Sequence, residues 1–210
     1  GKSVLETEYA VRGPIVARAQ ELEKSGKDII YCNIGNPQAL EQKPLSWVRQ
    51  ILALCEYPDL ARLTPGIFPA DAIEAAGKIL KGSRFGLGAY SESKGVRFIR
   101  EAVASFIHRR DGTNADPDDI YLTDGASKGV QAALRLLLSS PSDGIMVPIP
   151  QYPLYSATIT LYEGKQVNYY LDEHNDWKLS RQMLEESLAE ARRYGVTVKA
   201  IVVIDRKSVV

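Results

Sequence analysis

From Lys94 onward the chain alternates between two kinds of apolar pattern, and this alternation constrains its fold more than any other feature. Runs with a helical period of apolar residues take turns with short apolar runs, and Gly, Pro, Ser or Asp separate them. The pattern predicts helices at Lys94–Arg110, Ser127–Leu138, Pro153–Tyr162 and Ser180–Tyr194. It predicts strands at Asp119–Thr123, Ile145–Pro148, Gln166–Tyr170 and Ala200–Ile204. In the first of these helices Val96, Ile99, Val103 and Phe106 or Ile107 face inward, and Gly112 follows the end. Ala200–Ile204 is apolar throughout, as in a parallel strand buried on both faces. Strands alternating with helices point to a three-layer α/β/α domain.

The first 81 residues read differently. Helices are expected at Tyr9–Lys27, with Pro14 in its first turn, from Pro44 to Cys55, and at Pro69–Lys81. Ile29–Cys32 is a short β-like run, Tyr57–Phe68 a loop, and Gly82–Gly88 a glycine-rich link. There is no internal repeat and no low-complexity segment.

Composition narrows the function. Twenty-six basic and 26 acidic side chains leave no net charge, so no basic excess points to nucleic acid or an anionic membrane. No apolar run approaches the ~20 residues that span a bilayer. Gly1–Glu8 is not a signal peptide, and without an initiating Met the start reads as trimmed. Cys32 and Cys55 are too few for a disulfide scaffold, so a reduced, intracellular setting is expected. The cytoplasm comes first, with mitochondrion and peroxisome left open. No metal site is read.

Four segments can carry chemistry. In Leu122-Thr123-Asp124-Gly125-Ala126-Ser127-Lys128-Gly129 a strand-like run turns through small residues into an apolar helix. Free amides and the positive end of a helix dipole converge there, which suits a phosphate. A plain helix cap by Ser127 or Asp124 explains the same residues. Gly86–Gly95 can present the Tyr90 phenol to a ligand, or be a flexible loop ending in a serine cap. Pro148-Ile149-Pro150-Gln151-Tyr152-Pro153 follows a strand, where α/β sheets bind ligands. Its prolines can hold Tyr152 as a fixed aromatic plate, or simply stiffen a connector. Cys32-Asn33-Ile34-Gly35-Asn36-Pro37 is a turn whose amides can take a carboxylate.

Two of these segments also mimic a short-chain dehydrogenase, with a glycine-rich turn at 123–129 and a Tyr90-x-x-x-Lys94 pair. Their order argues against it, because in that family the glycine-rich turn precedes the Tyr-Lys pair. Gln131 also stands where the dinucleotide fingerprint wants glycine.

Taken in register, Tyr9-Ala10-Val11-Arg12-Gly13, Cys32–Gln38, Gly88-Ala89-Tyr90-Ser91, Leu122–Ser127 and Pro148–Ala157 resemble the alanine aminotransferase branch of fold type I pyridoxal-phosphate enzymes. The plant glutamate–glyoxylate aminotransferases share these segments. The resemblance runs from about Leu5 to Ile204 and implies an aspartate-aminotransferase-like three-layer fold. Its divisions would be an N-terminal arm and small-domain segment at 1–81, the first part of the cofactor-binding large domain at 82–204, and an incomplete large-domain sheet. It implies pyridoxal 5′-phosphate as cofactor, with Gly125, Ala126 and Ser127 on the phosphate and Tyr152 on the pyridine ring. Tyr90 would reach the phosphate of the neighbouring subunit in a homodimer. Gly35 and Asn36 would lie near the substrate carboxylate. The reaction implied is ping-pong transamination between L-alanine and 2-oxoglutarate.

The resemblance breaks after Ile204. There the family continues with Asn-Pro-x-Asn-Pro-Thr-Gly, and this chain reads Asp205–Val210, a tail foreign to the family that suggests a frameshift or mis-splicing. The family's Schiff-base lysine lies beyond that point, as do its pyridine-nitrogen aspartate and carboxylate-binding arginine. Neither Lys94 nor Lys128 stands in a context for a nucleophile. The chain is therefore expected to hold no catalytic residue, to be inactive alone, and to leave apolar sheet surface open.

Overall fold

The computed structural model describes residues 1–9, 11, 13–35, 37–84 and 86–204. The tail at 205–210 and Asn36 lie outside them. The chain forms two compact units, residues 1–35 with 124–210 and residues 36–123. Its helices are α1 (Lys2–Glu6), α2 (Pro14–Lys24), α3 (Ser46–Glu56), α4 (Leu60–Leu63), α5 (Ala70–Gly82), α6 (Arg97–Asp111), α7 (Ala126–Leu137), α8 (Pro153–Leu161) and α9 (Arg181–Arg193). Its strands are β1 (Asp143–Ile149), β2 (Lys165–Tyr170) and β3 (Thr197–Ile201).

The first unit holds a parallel sheet in the order β2-β1-β3. Central β1 is buried along almost its whole length, and its side chains alternate between two cores. Ile145 and Val147 pack with Leu134 of α7, Leu138 just beyond it, and Ile159 of α8. Met146 packs with Val167 and Tyr169 of β2 and Ala191 of α9. The sheet therefore lies between α7 and α8 on one face and α9 on the other. Each fully buried Leu or Ile contributes about 2 kcal/mol in this sandwich. The Tyr169 phenol ties the two outer strands together across β1 by donating to the Val202 carbonyl, just past β3, at 2.6 Å, and burial pushes its pKa up. Helix α9 starts where the Ser180 hydroxyl accepts from the Met183 amide.

Several expectations need correction. Residues 29–32 and 119–123 form no strand, because neither run pairs with a described strand and an apolar run alone does not make one. Strand β3 starts earlier than expected and is not buried on both faces. It pairs only with β1 among the described residues, so Ile201, Val203 and Ile204 are exposed. Its register shifts between Gly144 and Ile145, which turns Val198 toward the α9 core and Ala200 toward the α7–α8 core. The helix expected from Tyr9 begins only at Pro14, with Gly13 as its N-cap, and α1 precedes it.

In the second unit α3 packs on α5, and Ile51, Leu54, Cys55, Ala72 and Ala76 form the core. The expected loop after Tyr57 carries the single turn α4. Helix α6 ends at Gly112, whose left-handed φ of 71° accommodates the cap. Its buried face differs from the predicted stripe. Arg100 and Ala104 are fully buried, Val96, Ile99, Val103 and Ile107 only partly, and Phe106 is exposed beneath Arg110. Arg100 can be buried because each nitrogen of its guanidinium has a partner. It donates to the Gly95 carbonyl at 2.9 Å, the Pro117 carbonyl at 2.6 Å, Asp118 at 3.2 Å, and Glu92. Asp118 also pairs with Arg97, and these two arginines hold its carboxyl below the usual carboxylate range.

Candidate active site

The carboxyl end of β1 and the N-terminus of α7 carry the candidate site. Gly125 is the N-cap of α7, with φ 79° and ψ 163°. That conformation costs an L-residue about 1 kcal/mol or more, so glycine is the residue that fits. A Cβ there would meet nothing within 4 Å. No side chain caps the helix, so the serine or aspartate cap is not what the structure shows. The first amides of α7, at Ala126 and Ser127, precede any helical carbonyl and point outward with the positive end of the dipole.

β1 then runs through a cis Ile149–Pro150 bond to Tyr152, the N-cap of α8, with Pro153 as the first helical residue. Tyr152 is half exposed. Its phenol oxygen lies 2.7 Å from that of Tyr9, and the two rings meet edge-on, 6.3 Å apart at 80°. Beside it the Oε1 atom of Gln151 is a buried acceptor with no hydrogen-bond partner among the described residues. A cavity of about 350 Å³ opens between α7 and α8, lined by Thr7, Tyr9, Ser127, Lys128, Leu154 and Thr158 among others. Helix α1 packs on α8 and delivers Thr7 and Tyr9 to this cavity.

The first unit thus brings Ser127 and Tyr9 to one cavity, and Tyr9 to Tyr152. Gly35 is exposed at the end of the 33–35 turn, where Asn33 Nδ2 donates to the Val11 carbonyl at 3.0 Å. Asn36 lies outside the described residues. Tyr90 belongs to the second unit, fully exposed on a loop with a cavity of about 280 Å³ beside it. That loop is fastened at its far end, where Arg100 holds Glu92 and Gly95. Sequence reasoning assigned no role to Tyr9. It opens the Tyr9–Gly13 segment, but nothing in its neighbours announces a partner 143 residues away.

Among the described residues no group of His, Cys, Asp and Glu could hold a metal ion, and no helix is long and apolar enough to cross a membrane. Residues 52–204 match the family of class I and II aminotransferases. The chain belongs to that family. Class I and II aminotransferases are pyridoxal-phosphate enzymes, and the layered unit is the partial large domain of their fold type I architecture. Over 207 residues the chain is 52% identical to glutamate–glyoxylate aminotransferase 1 of Arabidopsis thaliana, covering 97% of this chain and 43% of that protein. Alanine aminotransferase 1, mitochondrial, of the same plant is 50% identical over 214 residues, covering 96% and 39%. Among solved structures, the alanine aminotransferase from Pyrococcus furiosus is 26% identical with a TM-score of 0.62, covering 94% of this chain and 50% of that one. This aminotransferase chain spans less than half the length of the curated relatives it matches. Family membership removes the dehydrogenase alternative.

Proposed function

We propose that this aminotransferase chain forms the phosphate and ring side of a pyridoxal-phosphate site, in an enzyme that transfers an amino group between L-alanine and 2-oxoglutarate. One observation carries the reading. The N-terminus of α7 is opened by a positive-φ glycine, carries no side-chain cap, and shares a cavity with the tyrosine that holds Tyr152. These residues fit the cofactor. The amides of Gly125, Ala126 and Ser127 and the Ser127 hydroxyl would donate to the phosphate oxygens. Tyr152 would lay its ring on the pyridine face. Gly35 and Asn36 would accept the substrate carboxylate through backbone and side-chain N–H groups. In a homodimer, Tyr90 would donate its phenol proton to the phosphate of the neighbouring subunit. When bound, the cofactor supplies the electron sink for chemistry at the amino acid's α-carbon.

A second reading keeps the site and changes the partners to glutamate and glyoxylate. It draws on the 52% identity to the glyoxylate enzyme, beside 50% to the alanine enzyme. Comparing pyruvate with glyoxylate as acceptor in a full-length enzyme carrying this segment separates the two. The 210-residue chain alone is expected to bind the cofactor weakly at best and to give no pyruvate from alanine and 2-oxoglutarate. Measurable turnover, or an absorbance band that borohydride fixes to one lysine, would overturn this division of labour.

A further inference from the structure

The hydrogen bond between Tyr9 and Tyr152 joins two phenols 143 residues apart in the chain. Tyr152 is half exposed at a helix N-terminus, and a ring in that position has open space into which to rotate. Two contacts remove that freedom, the 2.7 Å link between the phenol oxygens and the edge-on packing of the rings. Tyr9 is itself held from both sides. On one side Thr7 donates to the Ser3 carbonyl at 2.7 Å within a segment packed on α8. On the other, the Val11 carbonyl accepts from Asn33 at 3.0 Å in the turn that ends at Gly35. The N-terminal segment is therefore fastened to the aromatic residue at one point and to the glycine turn at another.

We propose that Tyr9 is a positioning residue, whose phenol sets the angle at which Tyr152 receives the cofactor ring while Val11 ties the same segment to the Asn33–Gly35 turn. This rests on the functional reading above. Prearranging the plate lowers the ordering cost of binding, so losing the link weakens the cofactor without touching any cofactor contact.

The test is a double-mutant cycle on a full-length enzyme carrying this segment, with Tyr9→Phe, Tyr152→Phe and both together. The probe is pyridoxamine phosphate, which has no aldehyde to react with surface lysines, and calorimetry reads its Kd. Urea unfolding without the probe is read in parallel. Each single variant is expected to weaken binding about fivefold, the size of one net hydrogen bond, and the double variant no further. Asn33→Ala, which cuts the other tie, is expected to weaken binding about twofold. Additive losses, or a Tyr9→Phe variant that binds like wild type, overturn the positioning role even if unfolding shows the two residues coupled. A full-length wild-type enzyme that takes up no pyridoxamine phosphate overturns the functional reading itself, and the positioning role with it.

Discussion

Asp143 shows how one carboxylate can hold a junction. It opens β1 with its side chain buried, and accepts from the Ser139 amide at 2.9 Å, the Ser140 amide at 2.9 Å and the Ser139 hydroxyl at 3.0 Å. Lys199 of β3 stands 3.3 Å away, next to the register shift. The Ser139 amide is the main reason its carboxyl stays below the usual range, against the upward push of burial, and the Ser139 hydroxyl and Lys199 add to it. A carboxyl lowered on folding stabilises the protein above the unfolded value of about 3.9, and that stability is lost as pH falls through the lowered value. Urea unfolding followed from pH 6 downward should therefore show a steep acid loss below about pH 4 in wild type. Asp143→Asn should flatten that limb, and an unchanged slope would show that other groups carry it. Residues of this kind were not legible in sequence. Asp143 looks like a turn aspartate and Arg100 like a surface charge on an amphipathic helix, and only the loops folded back over them bury and satisfy both.

At the scale of elements, the helices and strands around the first core follow from the pattern. Helices α7, α8 and α9 and strands β1 and β2 fall within a few residues of expectation, because each has a full apolar face and a clear stop. Expectation failed where a short apolar run needed a neighbour, as at 29–32 and 119–123. The candidate site divides in the same way. The 125–127 turn could be read because glycine before an apolar helix has few uses, but its lack of a side-chain cap is a fact of three dimensions. Replacing Gly125 with Ala tests that turn. A Cβ meets no neighbour, so the cost is the backbone conformation alone, about 1–3 kcal/mol by urea unfolding. A loss well beyond that would instead mean that the added methyl collides with its surroundings.

At the scale of the whole molecule, surface exposure governs behaviour. β3 leaves one edge unpaired among the described strands, and Ile201, Val203 and Ile204 lie exposed beside it. Leu5, Ile15 and Ile30 are exposed in the same unit. An open edge with apolar neighbours invites pairing with another chain. The isolated chain should therefore self-associate as concentration rises, and Ile201→Lys should reduce the apparent mass in light scattering. A chain that stays monomeric at every concentration would show that the edge is protected.

The sequence by itself determined the alternation of helix and strand, the layered class and the family, because these rest on local period and ordered motifs. The tertiary structure alone decided which apolar run became a central strand and which an edge, because burial depends on neighbours far along the chain. It also decided that Arg100 is buried, that α7 opens without a side-chain cap, and that Tyr9 meets Tyr152. Each of these joins residues whose separation in sequence carries no period for a pattern to report.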